Sequence, residues 1–322
     1  MSFLVDKADF TAQIYSHLMS HAALAEEEID GMKLIQLLAG IMTETLLLFE
    51  QPDEGLDATY GRLARLLDCE PAEGPLGARA LPPPYIIDYE TEQGRAVAKT
   101  LFEDWLDCAY EFHELIVFII HNVILRLEEA GQHRSEVLRI FIECTNRCMV
   151  YELAAQELCD IVIERKIGAE SWSLTESVSG LSAISGRCLA LSQNACEIFA
   201  VPALPDKLDQ VAYVMTQEAV RLGIPAGSDW RFGLAANDCL VSAPYDLINS
   251  LDPCCRELFE VIGLHSLMDR AVACAKAAGR MLAVAAGGES PEIEPVIAKP
   301  LAMAAMTDTY KSVCTQEAIR SC

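Results

Sequence analysis

One stretch of this chain leaves little choice of structure. Val137, Phe141, Cys144, Cys148, Tyr151, Ala155, Leu158 and Val162 follow one another at alternating steps of 4 and 3 residues. Only an α-helix returns such positions to one side, because it turns once every 3.6 residues while a strand alternates every two. The series predicts one long helix with a single buried seam. A second series, Val97, Leu101, Trp105, Cys108, Phe112, Leu115 and Ile119, steps by 4 and 3 and predicts a helix just upstream. Gly131-Gln-His133 separates the two, so they are expected to pack as an antiparallel hairpin.

No other stretch shows the sustained apolar–polar alternation of a half-buried strand. Aromatic residues make up only 7% of the chain, and Ala, Leu and Ile carry the apolar weight. Ala and Leu favour helices, whereas β proteins lean on Val, Thr and aromatic side chains. The expectation is therefore an all-α, multi-helix bundle with an N-terminal helical subdomain. At 322 residues and 52% hydrophobic content the chain can bury a core without disulfides or structural metals.

Punctuation divides the chain. Residues 1–72 read as the N-terminal helical subdomain, with an acidic break from Glu50 to Asp57 marked by Pro52 and Gly55. Residues 73–85 are a Pro-rich linker, because three successive prolines hold the backbone extended. Residues 86–322 form the main helical domain. Within it, helices are expected near 174–199 and from Asp206 to Leu222, where Gly223 supplies the stop. Two more are expected, from Tyr245 to Gly263, broken near Asp252-Pro253, and from His265 to Ala286. A loop with three prolines is expected from Gly287 to Pro300, then a last helix or a frayed tail from Leu301 to Ile319.

The net charge is −24. Residues 1–130 hold 24 acidic against 8 basic side chains, and residues 131–322 hold 24 against 16. Such a surface repels phosphate backbones and anionic headgroups, which argues against nucleic acid and membrane partners. The longest apolar runs are Met32–Phe49, interrupted by Lys33, Gln36 and Glu44, and the eleven residues Leu115–Leu125. Both fall short of the roughly 20 apolar residues a spanning helix needs, so no membrane insertion is expected. Met1 is followed by Asp6, Lys7 and Asp9 rather than a basic start and an apolar run, so no secretion signal is visible. Thirteen cysteines without framework spacing point to a reducing, cytoplasmic setting.

The residues with most chemical potential lie in Glu111-Phe-His-Glu114 through His121. Glu114 and His121 are seven apart, hence on one helix face, with only apolar residues between them. A helix apolar all round is expected to be buried all round, and buried carboxylate and imidazole groups need partners or a metal. The Glu114-x6-His121 spacing resembles the first ligand helix of haem-oxygenase-like di-iron oxidases, a resemblance carried by two residues. It implies iron or manganese, with Glu111, Glu114, His121, Glu143 and the i, i+4 pair His265 and Asp269 as metal ligands. The sequence departs from that pattern at Val272, where a further ligand histidine is expected, and no His follows a Glu by three residues. His17 and His21 are also i, i+4. Cys254-Cys255, beside Pro253 at an expected helix start, lack an adjacent His and sit among carboxylates, which argues against a nucleophile.

No phosphate loop, dinucleotide fingerprint or Gly-x-Ser-x-Gly elbow is present. The leading expectation is a helical protein acting through protein–protein contacts, as an adaptor, assembly factor or scaffold subunit, with a protein partner or homo-oligomer and no cofactor. The alternative is an oxidase-like metalloenzyme on the Glu/His cluster.

Overall fold

The computed structural model describes residues 31–49, 52–69, 91, 94–95, 98, 109–167, 173–192, 206–225, 244–287 and 291–321. Every regular element among them is an α-helix. In chain order these are α1 (Gly31–Leu46), α2 (Pro52–Leu66), α3 (Ala109–Glu129), α4 (Arg134–Ile167) and α5 (Leu174–Ser192). There follow α6 (Asp206–Arg221), α7 (Pro244–Ile262), α8 (Leu267–Ala286) and α9 (Pro295–Ser321). None is long and apolar enough to cross a membrane. The Pro-rich linker and the pair His17 and His21 lie outside the described residues.

The chain forms two compact units, 1–82 with 88–149 and 83–87 with 150–322. The division falls inside α4, between Met149 and Val150. In unit 1, α1 and α2 pack on α3. One core joins Ile35, Leu38 and Ile41 of α1, Leu56 and Leu63 of α2, Ile116, Ile120 and Ile124 of α3, and Phe141 of α4. The helices expected for residues 1–72 thus share a core with residues assigned to 86–322.

The long seam is as expected: Val137, Phe141, Cys148, Tyr151, Ala155, Leu158 and Val162 are all buried, and Cys144 half so. Gly131, at φ 94°, ends α3 in a Schellman turn: Gln132 N–H reaches Leu127 O at 2.9 Å, and Gly131 N–H reaches Glu128 O at 2.9 Å. Gly223 (φ 102°) closes α6 in the same way.

The same turn ends α2 without a glycine. Asp68 takes φ 52° while Cys69 N–H bonds Ala64 O at 2.9 Å. A side chain is disfavoured in this left-handed region. Asp68→Gly is therefore expected to raise the urea midpoint, by a gain of about 0.5–1 kcal/mol. A lowered midpoint would show that the Asp68 carboxylate contributes more than its backbone loses.

Unit 2 is built round α5, which packs on α6, α7, α8 and α9. Every residue from Glu176 to Gly186 is buried. Its start is a capping box: Glu176 N–H donates to Ser173 Oγ (3.0 Å), and Ser173 N–H returns a bond to Glu176 Oε2 (3.0 Å). Small residues let neighbours approach closely. A Cβ built on Gly186 would lie 2.2 Å from Met306 O of α9, and one on Gly279 of α8 would lie 2.4 Å from Met215 O of α6. The buried serines find acceptors, Ser177 on Ser173 O (3.0 Å) and Ser185 on Ala271 O (2.7 Å). The Ser179–Gly186 stretch is thus close helix packing.

Proline misleads three of the expected boundaries. Pro253 lies inside α7, which runs unbroken to Ile262. Its missing amide removes one bond to Asn249 O, but Leu247, Ile248, Leu251, Cys255 and Phe259 still bury one face. Cys254-Cys255 therefore lie mid-helix rather than at a helix start. Pro295 opens α9 at its first position, where no amide partner is lost, so the last helix begins inside the expected loop and runs through Pro300. Pro52 does the same for α2, and the acidic residues after it sit in a first turn that favours negative charge.

Candidate functional site

The expected metal ligands have separate engagements. Glu114 forms an ion pair with Arg62 of α2. Glu143 pairs with Arg139 one turn away on α4, at 2.6 Å. His121 is half-buried, since α3 is not buried all round: Phe118 on the same helix is 59% exposed. The Glu111 side chain lies outside the description. These four belong to unit 1, and His265 and Asp269 to unit 2. His265 and Asp269 do not share a helix, because Ser266 caps α8 and accepts from Asp269 N–H at 3.4 Å, leaving His265 in the preceding turn. His265 is exposed, 3.5 Å from Glu260. Asp269 is buried and accepts the Tyr151 hydroxyl at 2.5 Å. Among the described residues no group of three or more His, Cys, Asp or Glu side chains is placed to hold a metal.

A buried imidazole precedes Glu114 in the chain. His113 of α3 is 8% exposed, edge-on to Phe49 with ring centroids 5.4 Å apart. Its Nε2 lies 2.7 Å from Thr59 Oγ1, whose hydroxyl donates to Gly55 O at 2.7 Å. With that hydroxyl proton committed, Nε2 carries the ring proton and Nδ1 is a bare acceptor. Nδ1 is buried, without a hydrogen-bond partner among the described residues. Burial, and then the Arg62 charge, hold the His113 pKa below the usual 6.5.

That shift fixes a sign. Below about pH 6.5 the unfolded chain takes up a proton at this residue while the folded chain does not. His113 therefore makes the folded state less stable as pH falls from about 6.5 toward the folded pKa. Stability against urea from pH 7.5 to 5 is expected to fall more steeply for the native chain than for His113→Phe, by a slope approaching one proton. Parallel slopes would show that another group governs the acid limb.

Among the described residues, unit 2 holds the largest constellation of charge. Glu152 of α4 meets Lys276 of α8 at 3.0 Å and also binds Arg280. Arg280 Nε reaches Glu218 of α6 at 2.8 Å, and its Nη1 donates to Gln156 at 3.0 Å. Arg221 closes the set on Glu218 at 2.6 Å. Glu218 and Lys276 have no exposed surface, and Glu152 is 6% exposed. Three cations and two carboxylates so tie α4, α6 and α8 together. The sequence signal was present: Lys276 and Arg280 are the only charges in the Ala-rich run Ala271–Ala286.

Three buried thiols of unit 2 have little nucleophilic character. Burial pushes Cys159 and Cys188 up to about 12, and contact with Cys255 plus complete burial raise Cys274 well above the thiol range. Asp252, beside Cys254-Cys255, is taken up by Arg187 at 2.9 Å and by Arg256.

No family model, curated protein or solved structure matches this chain.

Proposed function

We propose that this protein acts through protein–protein contacts, as an adaptor, assembly factor or scaffold subunit, and that unit 1 supplies the contact. The observation that carries the reading is the outward side of α3. Ile116, Ile119, Ile120, Val123 and Ile124 fill the core from one side. The exposed Phe118 and half-buried Asn122 lie on the other, flanked by Leu115 and Leu125, which pack partly against the core. Asn122 Nδ2 donates one N–H to the Phe118 carbonyl at 2.8 Å, on its own helix. Leu47, Leu48 and Leu66 are also more than a third exposed in this unit. Exposed aromatic side chains on an ordered helix are typical anchors of interfaces. The acidic surface suits a basic partner, by raising the association rate more than the affinity. Six of the described cysteines are buried, as small apolar side chains are, which supports a reducing, cytoplasmic setting.

The test compares the native chain with Phe118→Asp, first for unchanged helicity, then for self-association by light scattering and for recovery of cross-linked partners. An anchor worth at least about 2 kcal/mol predicts a loss of about thirtyfold or more in the affinity of whichever complex forms. A monomeric native chain whose interactions are all indifferent to Phe118→Asp would overturn the reading. Stoichiometric iron or manganese in protein purified without chelators would instead favour the oxidase-like alternative.

A further inference from the structure

We draw no further inference here: the strongest candidate, the buried bare Nδ1 of His113 between α2 and α3, is a single acceptor atom with no second ligand-bearing group among the described residues to show what it would bind.

Discussion

Glu152→Gln is expected to destabilise the protein by about 3–5 kcal/mol, the range found when one partner of a buried ion pair is removed. Glu152 faces Lys276, which has no exposed surface, and Arg280, with Arg221 at 3.7 Å. The amide keeps the shape but not the charge, leaving the single carboxylate of Glu218 among three cations of this set. An exposed pair would contribute only about 0–1 kcal/mol, because water and salt screen it. The urea midpoint, followed by circular dichroism, separates the two cases. The double variant Glu152→Leu, Lys276→Met removes a charge of each sign together. It is expected to be more stable than the sum of its single variants, since buried charges are most unfavourable when uncompensated. A single-variant loss below about 1 kcal/mol would mean that water reaches the network.

Gly186→Ala is expected to be strongly destabilising. Its Cβ would sit 2.2 Å from Met306 O, 3.0 Å from Met306 C and 3.2 Å from Met306 Cα. These are backbone atoms of α9, so no side chain can swing aside, and α5 and α9 must separate. Overpacking typically costs about 1–3 kcal/mol, and this geometry belongs at or above the upper end. Gly61→Ala in α2 is the control. Among the described residues nothing lies within 4 Å of its Cβ position, so the gain in helix propensity predicts stabilisation by roughly 0.5–1 kcal/mol. The same substitution should thus carry opposite signs at the two sites. Equal effects would show that the α5–α9 contact relaxes freely.

Much of the helical architecture was legible from spacing. The seam from Val137 to Val162 needs only the 3.6-residue period, and Gly131 and Gly223 mark helix ends because they supply the left-handed turn residue. The prolines were harder. Pro253 reads as a break on local grounds, yet the burial of the apolar face of α7 outweighs one lost hydrogen bond. Gly180 and Gly186 are poor helix formers, yet Ser173-x-x-Glu176 is the sequence signature of a helix start.

The charged residues were the least legible part. Glu114 and His121 drew notice through their apolar surroundings, but Glu114 is answered by Arg62, more than 50 residues away. Lys276 and Arg280 likewise find Glu152 and Glu218 on other helices, a pairing that spacing along one helix does not encode.

The make-up of α5 also bears on how unit 2 comes to be ordered. Gly and Ala lose almost no rotamer freedom on burial, whereas long side chains lose up to about 2 kcal/mol each. Six of the eleven residues from Glu176 to Gly186 are Gly or Ser, and one more is Ala. Enclosing this helix on several sides therefore removes little side-chain entropy. The return comes from dispersion between backbones held almost in contact rather than from large apolar area withdrawn from water. The attraction at the centre of unit 2 is consequently short-ranged, gained only in the final approach of the helices, when Gly186 and Gly279 meet the carbonyls opposite them.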